Sequence, residues 1–467
     1  MASYDVIFIG GGPAGYVGAI RCAQLGLSTA VVERDKAGGT CVAWGCIPAK
    51  ALLESASLAS RVRHAQEFGV NVGELSFDYG VASKRAKSVS DQNVRGVEFL
   101  FKKNKITYIK GTAKIAGPKA VTVKTTDGKE ERHEAKKAIV VATGSRVRGI
   151  PQIGLELNGT TIISSDEALY MPQLPKSIAI VGAGAVGCEF ADVFHAFGAQ
   201  VTLIEVASNI LPLEDQEVSA ELGRSFKKRK IDVLTGARIS GVKVGKTSVS
   251  MSIEVGGQKK TLEVEKVLIA AGRAPNVEDL GLKELGVQLT ERGFIKIDAH
   301  MATSVPGIYA IGDVAGLPML AHKGSREGIT AAEVIAGKPT HGVNYGNIPS
   351  ATYCHPEVAS IGLTEQQCKD KKLDYKVGKF PFSANGRART AGETEGFVKI
   401  IRDAKYGEIL GAHIIGPHAT ELIHELAVAR ENEFTVEEVD LAIHAHPTLS
   451  EAVAEAALDS MGMMIHA

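Results

Sequence analysis

The chain has 467 residues, of which 45% are hydrophobic and 23% charged, proportions that exclude a disordered polypeptide and favour several globular domains. Its 53 Lys and Arg residues equal its 53 Asp and Glu residues, so charge favours neither nucleic acid nor a membrane surface as a partner. Six cysteines in so long a chain do not form a secreted disulfide framework, so any disulfide is expected to be catalytic.

The start of the chain runs directly into an apolar stretch, with no basic or Arg/Ser-rich targeting segment before it. No apolar run approaches the ~20 residues that cross a bilayer. We therefore expect a cytoplasmic protein of bacterial type, and a mature organellar protein would show the same pattern.

A dinucleotide-binding pattern comes first in the chain. A buried strand over residues 5–9 is followed by Gly10, Gly12 and Gly15 in a G-x-G-x-x-G arrangement, then by a helix and a strand that ends at Glu33. Glycines let the backbone approach a pyrophosphate, and the start of the helix offers free N–H groups. The acidic residue can accept hydrogen bonds from ribose hydroxyls. These features predict a Rossmann-type site.

The same pattern recurs 172 residues further on. Gly182, Gly184 and Gly187 follow a strand over residues 177–181, and Glu205 ends the next strand. Glycines that merely form unrelated turns would rarely produce two copies of the pattern in register. The repeat therefore predicts two dinucleotides on one chain. The carboxylate of Glu205 would repel a 2′-phosphate, which favours NAD over NADP at the second site.

Two later strands support FAD at the first site. Residues 138–141 lead into Thr143, and residues 308–311 lead into Gly312 and Asp313. Ligands lie at the carboxyl ends of parallel strands, so these turns are expected beside the first glycine motif. Asp313 could bond a ribityl hydroxyl, and the alternative of a simple turn-forming residue stays open.

A cysteine pair follows the first motif, with Cys41 and Cys46 five residues apart. In a regular α-helix such residues have Cα atoms about 8–9 Å apart, whereas a disulfide needs less than ~7 Å. If the two cysteines pair, the chain around Gly45 must therefore leave the helical path. The alternative is two ordinary buried thiols. Cys22 and Cys188 fall inside predicted helices and are expected in the core.

A charged pair is predicted beside these cysteines. Lys50 follows Cys46 by four residues and is expected on the same face of a helix. Glu189 lies near the start of the helix after the second glycine motif, where the first copy carries apolar Val17. A buried carboxylate needs a cationic partner, which makes Lys50 a candidate. The alternative is that both side chains face solvent.

His446 and Glu451, near the end of the chain, are residue types suited to acid–base chemistry. Histidine exchanges protons near neutral pH, and a carboxylate can orient its ring. Glu451 could instead close a capping box with Thr448 at the start of the last helix, or do both, since a carboxylate has two oxygens. His444 and His446 could together bind a metal, but no further ligands at suitable spacing support one, and we expect none.

Taken together, these motifs resemble those of the pyridine nucleotide–disulfide oxidoreductases over essentially the whole chain. The resemblance is carried by the paired glycine motifs and by the segments 39–50, 142–145, 312–313, 319–323 and 444–451. It implies an α/β fold with two Rossmann-like dinucleotide-binding domains and a C-terminal α+β dimerisation domain. In this last part, from about residue 349 onward, the sequence pattern itself predicts alternating strands, such as 398–401, followed by two helices. The expected divisions are an FAD-binding domain at 1–145, an NAD-binding domain at 146–273, a return segment at 274–346 that completes the FAD-binding part, and an interface domain at 347–467.

The resemblance also implies a role for each site residue. Cys41 would be the thiol that exchanges with the substrate disulfide, and Cys46 the thiol that lies against the flavin. Lys50 and Glu189 would form a pair near the flavin, and His446 with Glu451 would be the acid–base pair. Tightly bound FAD would contact Gly10, Gly12, Pro13, Ala14, Gly15, Glu33, Arg34, Gly39, Thr40, Lys50, Thr143, Gly144, Ser145, Gly312, Asp313, Met319, Leu320, Ala321 and His322. NAD would contact Gly182, Gly184, Ala185, Val186, Gly187, Glu205 and Gly272.

Within the family, the chain is most similar to the members that oxidise protein-bound dihydrolipoyl groups to the disulfide with reduction of NAD+. Their base comes from the second subunit, which implies a homodimer. The dihydrolipoyl groups would come from lipoyl domains of 2-oxo acid dehydrogenase complexes or of the glycine cleavage system, with no nucleic acid or membrane partner.

Three alternatives stay open. Glu205 argues against a glutathione-reductase-like enzyme, and the C-terminal tail lacks the extra cysteine pair of a mercuric-reductase-like enzyme. A catalytically silent flavoprotein that serves as a binding module would not need the intact cysteine pair. The chain departs from the family pattern at Ala43 and Trp44, where relatives more often carry Asn and Val, and at Ala49, which replaces a common serine.

Overall fold

The computed structural model describes residues 2–467. Its strands are β1 (Ala2–Ile9), β2 (Thr29–Glu33), β3 (Thr107–Gly117), β4 (Ala120–Thr125), β5 (Glu130–Val141), β6 (Ser145–Val147), β7 (Ile162–Ile163), β8 (Ser177–Val181), β9 (Gln200–Ile204), β10 (Asp232–Leu234), β11 (Arg238–Val244), β12 (Val249–Val255), β13 (Gln258–Val264), β14 (Lys266–Ile269), β15 (Arg273–Pro275), β16 (Ile308–Ala310), β17 (Ser350–Thr352), β18 (Glu357–Gly362), β19 (Tyr375–Pro381), β20 (Phe397–Asp403) and β21 (Ile409–Gly416).

Its α-helices are α1 (Pro13–Gln24), α2 (Gly39–Trp44), α3 (Cys46–Arg63), α4 (Tyr79–Lys103), α5 (Ser165–Leu169), α6 (Ala185–Ala196), α7 (Gln216–Lys228), α8 (Ala321–Ile335), α9 (Glu365–Asp370), α10 (Gly386–Ala391), α11 (Ala419–Glu431), α12 (Val436–Leu441) and α13 (Glu451–Ser460). Within residues 2–467, none of these helices has the length and apolar character that crossing a membrane requires.

The first sheet is built around β1, whose residues Val6, Ile7 and Phe8 are fully buried. Its parallel part has the order β3-β2-β1-β5-β16. The long strands β3 and β5 continue past this part and pair antiparallel with β4. A strand covered on both faces needs a continuous apolar run, which is the pattern that β1 shows in the sequence.

The second sheet repeats the same arrangement, with the parallel order β10-β9-β8-β14-β7. Val181 on β8 pairs with Ile204 on β9, and Ile9 on β1 pairs with Val32 on β2. Ile9 lies 172 positions before Val181, and Val32 lies 172 positions before Ile204. The antiparallel strands β11, β12 and β13 stand where β3, β4 and β5 form their antiparallel extension. The repeat in the sequence is therefore a repeat in the structure.

The two units are joined by a short ribbon in which β6 pairs antiparallel with β15. The chain passes from the first unit to the second at β6 and returns at β15. The expected domain limits at 145 and 273 fall on these two strands, and the limits themselves stay predictions.

The C-terminal part is an antiparallel sheet with the order β17-β18-β21-β20-β19. Three helices follow its last strand, α11, α12 and α13, where the sequence predicted two. The additional helix, α12, begins at a capping box: Thr435 N donates to Glu438 Oε2 at 2.7 Å, and Glu437 N donates to Thr435 Oγ1 at 3.2 Å. The prediction of two helices was wrong because this local start signal divides the helical stretch.

Helix α8 covers the first glycine turn because glycines let it approach α1 closely. A Cβ atom on Gly328 would lie 2.5 Å from Ala14 O, and one on Gly18 would lie 3.0 Å from Gly328 O. In the second unit the position of Gly18 is taken by Phe190, which is buried in the core instead. The two repeats thus differ in what packs on the first helix.

Candidate active site

Both glycine motifs form a tight turn between a strand and a helix. A Cβ atom on Gly15 would lie 2.0 Å from Gly10 O, and one on Gly187 would lie 1.9 Å from Gly182 O. Any other residue at Gly15 or Gly187 would therefore push the turn open. The chain is held in the same narrow loop at both places.

The helices that follow these turns start without a side-chain cap. Gly12 is the N-cap of α1, which begins at Pro13, and Gly184 is the N-cap of α6, which begins at Ala185. A glycine leaves the first N–H groups of the helix free, and such groups attract a phosphate. The residues at both turns therefore fit the pyrophosphate of a dinucleotide.

The acidic residue of each repeat holds its glycine turn. Glu33 Oε2 accepts a hydrogen bond from Gly11 N at 2.7 Å, and Glu205 Oε2 accepts one from Ala183 N at 2.7 Å. The other oxygen of each carboxylate accepts the N–H group two residues further on, at 2.9 Å. Burial raises the pKa of Glu33 although these N–H groups favour its charged form. Each oxygen keeps a lone pair for a ribose hydroxyl.

The two cradles differ in their cover. Ala14 is buried beneath Gly312 and Gly324. A Cβ atom on Gly312 would lie 3.0 Å from the Cβ atom of Ala14, and one on Gly324 would lie 3.1 Å from it. The equivalent residue in the second repeat, Val186, is 44% exposed. The first cradle is closed by the return segment, and the second is open to solvent.

Further predicted FAD contacts lie at the carboxyl ends of β5 and β16. Ser145 Oγ donates to Asp313 Oδ2 at 2.6 Å, which joins the two predicted turns directly. Arg273 Nε donates to Ser145 Oγ at 2.7 Å, and its Nη2 donates to Ser145 O at 2.7 Å. Thr143 Oγ1 donates to Asn276 O at 2.7 Å, with Gly144 beside it in the same turn. Arg273 and Asn276 carried no recognisable signal in the sequence.

The remaining predicted contacts sit at the starts of α2 and α8 and beyond β14. Gly39 lies against the first glycine turn, since a Cβ atom on it would be 2.8 Å from Gly12 Cα, and Thr40 follows it. Helix α8 begins with the segment 319–322: Met319, its N-cap Leu320, Ala321 and His322, whose Nε2 lies 2.9 Å from Pro349 O. Gly272 follows the end of β14.

Arg34 is the predicted contact for which the structure offers least. Its side chain is 61% exposed, and its Nε donates to Asp35 Oδ2 at 3.1 Å. The guanidinium therefore makes a surface ion pair beside Glu33, and its predicted contact with FAD stays a prediction.

Cys41 and Cys46 lie on either side of a break between two helices. Helix α2 ends at Trp44 and α3 begins at Cys46, with Gly45 between them at φ −144° and ψ −113°. A Cβ atom on Gly45 would lie 2.7 Å from Thr40 O, so the break depends on glycine. The predicted departure from the helical path occurs at this residue.

In the reduced pair, a hydrogen bond joins the side chains of Cys41 and Cys46. This hydrogen bond from Cys41, aided by the charge of Lys50, lowers the pKa of Cys46 to about 7 against the effect of desolvation. The same hydrogen bond and burial raise the pKa of the Cys41 thiol. Of the two, Cys46 is therefore the one that carries the negative charge when the pair is reduced.

The loop between the thiols is fixed by side chains from elsewhere in the chain. Ser90 Oγ donates to Val42 O at 2.8 Å and to Ala43 O at 3.0 Å. Tyr170 donates from its hydroxyl to Ala43 O as well. Trp44 is half-buried and packs against the cores of both dinucleotide-binding units. Neither Ser90 nor Tyr170 could be identified from the sequence, because each contacts the loop only through main-chain oxygens.

Lys50 and Glu189 form the ion pair that was predicted. Lys50 Nζ lies 2.9 Å from both carboxylate oxygens of Glu189, which is buried. Glu189 Oε1 also accepts Tyr353 N at 3.0 Å, and Lys50 Nζ stands 4.4 Å from the centre of the Tyr353 ring. Burial lowers the pKa of Lys50, but the charge and hydrogen bonds of Glu189, together with the charge of Cys46, outweigh it and the net pKa is raised. The partner Tyr353 was missed in the sequence.

His446 and Glu451 are also in contact. His446 Nδ1 lies 2.8 Å from Glu451 Oε1, and Thr448 N donates to Glu451 Oε2 at 2.8 Å. Thr448 Oγ1 binds Ala445 O instead of the helix, so only the carboxylate half of the predicted capping box is present. Burial opposes the shift, but hydrogen bonds from Thr448 and His446 lower the pKa of Glu451. One carboxylate therefore serves both the loop and the ring.

The ring of His446 is 79% exposed. No hydrogen bond joins it to Cys41 or Cys46 among residues 2–467. His444 is held differently, with Nε2 2.6 Å from Glu425 Oε1 and Nδ1 2.7 Å from Ala442 O. No cluster of three or more possible metal ligands occurs in the described part of the chain, so the metal alternative has no support there.

Comparison with known families defines the class. Residues 4–328 match the family described as pyridine nucleotide-disulphide oxidoreductase, and residues 348–457 match its dimerisation domain. The chain belongs to the pyridine nucleotide-disulphide oxidoreductase family. This family uses FAD and NAD, and the predicted fold class, enzyme class and cofactors are confirmed.

Particular relatives are more specific. The chain is 45% identical to a protein named dihydrolipoyl dehydrogenase from Bacillus subtilis, covering 99% of both chains. It is 45% identical to the protein of the same name from Mycobacterium leprae, covering 100% of both chains. Among solved structures, LpdA from Mycobacterium tuberculosis matches with a TM-score of 0.90 at 27% identity, covering 98% of this chain and 99% of that one. The flavoprotein disulfide reductase RclA from Escherichia coli matches with a TM-score of 0.86 at 25% identity, covering 98% and 99%.

Proposed function

We propose that this protein oxidises protein-bound dihydrolipoyl groups to the disulfide and reduces NAD+. The observation that carries the proposal is the thiol pair Cys41 and Cys46 at the break between α2 and α3. Cys46 has a pKa of about 7, and the Lys50–Glu189 ion pair lies one helical turn away. Full-length relatives that are named dihydrolipoyl dehydrogenase support the choice of substrate.

The closed first cradle would hold FAD, and the open second cradle would hold an exchanging NAD. Cover by α8 suits a group that stays bound, while the exposed Val186 suits one that enters and leaves. The carboxylate of Glu205 at the second cradle disfavours the 2′-phosphate of NADP. When bound, FAD would accept two electrons from the thiol pair and pass a hydride to NAD+.

The residues of the chain would carry the thiol chemistry. His446 Nε2 would accept the proton of the first dihydrolipoyl thiol, because Nδ1 is already engaged by Glu451. The substrate thiolate would attack the sulfur of Cys41 in the oxidised pair, breaking the Cys41–Cys46 bond and leaving Cys46 as a thiolate. The second substrate thiol would then attack the mixed disulfide, releasing the lipoyl disulfide and Cys41.

His446 would act on the disulfide of a second copy of the chain. The ring is largely exposed, and it lies in the part that matches the family's dimerisation domain. A homodimer would bring this exposed ring to the Cys41 of the partner subunit. The dihydrolipoyl group would be presented by lipoyl domains of a 2-oxo acid dehydrogenase complex or of the glycine cleavage system, and the enzyme would work in the cytoplasm with them.

Substrate comparison tests the proposal. FAD-loaded enzyme should reduce lipoamide with NADH and be at least about 100-fold slower in reducing oxidised glutathione with NADPH, the ratio that a few unmatched contacts produce. Turnover of glutathione at a comparable rate would overturn the substrate assignment. The variant Cys41→Ser should lose dihydrolipoamide turnover while the flavin stays bound, which separates a failure of chemistry from a failure of cofactor loading.

A further inference from the structure

A second histidine–carboxylate pair stands beside the first one. His466 Nδ1 lies 2.6 Å from Glu455 Oε1, and His446 Nδ1 lies 2.8 Å from Glu451 Oε1. Glu451 and Glu455 are four residues apart on α13, so they occupy the same face of the helix on successive turns. The C-terminal tail has thus folded back to place a ring next to the candidate acid–base pair.

The second pair is built into the protein. Glu455 is buried, and its other oxygen accepts Ile465 N at 3.1 Å and His466 N at 3.2 Å. Burial works against ionisation, but the hydrogen bonds from the His466 ring and from these N–H groups lower the pKa of Glu455. The side chain of His466 is 70% exposed, which leaves Nε2 open to water. The exposed ring of His446 is held in the same way by Glu451, which lies one helical turn before Glu455 on α13.

The carboxylates of the two pairs lie one helical turn apart, about 6 Å along the axis of α13. The charge of His466 contributes to the lowered pKa of Glu451, after the hydrogen bonds that Glu451 accepts. The next acidic residue on α13, Asp459, is occupied by Lys379 N at 2.7 Å on β19, and Arg402 Nε on β20 binds Ser460 O at 3.0 Å. These charged groups are bound elsewhere, so His446, Glu451, Glu455 and His466 form a set of their own.

We infer that His466 is a proton-relay residue for the acid–base histidine, an inference that rests on the proposed function. The first dihydrolipoyl thiol gives its proton to His446 Nε2, and the proton passes to His466 Nε2 and then to water. His446 is then neutral again, takes the proton of the second thiol and hands it to Cys41 as that sulfur is released. One proton leaves to solvent, one remains on Cys41, and Cys46 is left as a thiolate.

The variant His466→Ala tests the relay, because Glu455 keeps both backbone hydrogen bonds to the tail. Dihydrolipoamide turnover by the FAD-loaded enzyme is measured in a low concentration of a bulky buffer. The turnover of His466→Ala should be about 3- to 10-fold lower than that of the parent, a smaller loss than the ~10²–10⁴-fold effect of removing a direct base. Added imidazole should restore turnover in a saturable way, because a small base can replace the missing ring. Dye reduction by NADH should be unchanged.

His300→Ala is the matched control, an exposed histidine in the return segment, away from α13. It should show neither the loss nor the response to imidazole. Unchanged turnover in His466→Ala, or a loss that imidazole does not restore, would overturn the relay and leave the tail a structural element. If the parent enzyme itself does not turn over dihydrolipoamide, the proposed function fails instead.

Discussion

Lys50 Nζ stands 2.9 Å from both carboxylate oxygens of Glu189, although the two residues are 139 positions apart and belong to different dinucleotide-binding units. The pair therefore joins the helix that carries Cys46 to the first helix of the second unit. Its cation favours the thiolate of Cys46, and its carboxylate opposes it. These two charges add to the larger effects on the pKa of Cys46, which are the hydrogen bond from Cys41 that lowers it and the desolvation that raises it.

Removing the cation should raise the pKa of that thiol. In a Cys41→Ser background, which leaves a single thiol and keeps a hydroxyl donor, the Cys46 thiolate should titrate at a higher pH in Lys50→Met than with Lys50 present, because the charge of Lys50 lowers the pKa of Cys46. The sign follows because a positive charge stabilises the thiolate. Long-wavelength absorbance of FAD-loaded enzyme against pH measures it. Lys87→Met, a surface substitution, should leave the midpoint unchanged, and an unmoved midpoint in Lys50→Met would contradict the account.

Loss of the acid–base ring should separate two activities. His446→Ala should lower dihydrolipoamide turnover by roughly 10²–10⁴-fold, the usual contribution of a general base, while NADH-driven dye reduction stays close to the parent rate. Glu451→Gln should lower turnover less, since Gln can still accept the Thr448 N–H group. Steady-state kinetics with both acceptors measures the split. Equal loss of both activities would assign His446 a structural role.

Nicotinamide preference should depend on Glu205. The parent should prefer NAD over NADP, and Glu205→Gln should narrow the preference because the charge that repels a 2′-phosphate is gone. The structure adds a second effect: Glu205 accepts two N–H groups around the second glycine turn, so the KM for NAD should also rise. Strong use of NADP by the parent would refute the interpretation of Glu205.

A buried cation should hold the second unit to the C-terminal sheet. Lys399 Nζ is fully buried and lies 3.0 Å from Asp215 Oδ1, 2.8 Å from Glu217 Oε2 and 2.7 Å from Glu365 Oε2. Lys399→Met should lower the free energy of unfolding by about 3–5 kcal/mol at neutral pH, because it leaves the buried carboxylate of Asp215 without its ion-pair partner, while Glu365 and Glu217 keep Lys369 and Lys379. Lys376→Met, exposed on neighbouring β19, is the control and should change little.

The same cluster predicts a loss of stability in acid. Hydrogen bonds from Lys369 and Lys399 lower the pKa of Glu365 to about 2. Against the effect of burial, the charges of His413 and Lys399 lower the pKa of Asp215, and hydrogen bonds from Lys399 and Lys379 lower the pKa of Glu217. Carboxylates with depressed pKa values stabilise the fold above their unfolded values and lose this contribution as pH falls through the folded ones. The free energy of unfolding of the parent, measured with denaturant, should therefore fall as the pH is lowered from about 5 to 2. The penalty of Lys399→Met should shrink over that range, and a constant penalty would contradict it.

Much of the fold was predictable because its signals are local or repeated. The glycine turns, the acidic strand ends and the break at Gly45 are each written in a few adjacent residues. The resemblance implied the pairing of Lys50 with Glu189, and the need of a buried carboxylate for a cationic partner supported it. The division of the C-terminal helices was not, because a capping box at Thr435 competes with a continuous helical pattern.

Other parts of the site could not be predicted, because they depend on contacts between distant segments. Ser90 and Tyr170 hold the disulfide loop through main-chain oxygens, which place no demand on the sequence of the loop. Tyr353 lies beside Lys50 because the C-terminal sheet packs on the second unit. The pairing of His466 with Glu455 needs the tail to reverse direction after α13. No spacing along the chain reveals these relationships.

If electrons pass through Cys46, the long-wavelength absorbance of the two-electron-reduced enzyme should depend on this thiol. FAD-loaded enzyme is reduced without oxygen by one equivalent of dihydrolipoamide in the absence of NAD+, and its long-wavelength absorbance is recorded. A thiolate–flavin charge-transfer band should appear in the reduced parent, the same band should be present without reductant in Cys41→Ser, and Cys46→Ser should show none. A band that persists in Cys46→Ser, or that is absent from the reduced parent, would contradict electron transfer through Cys46.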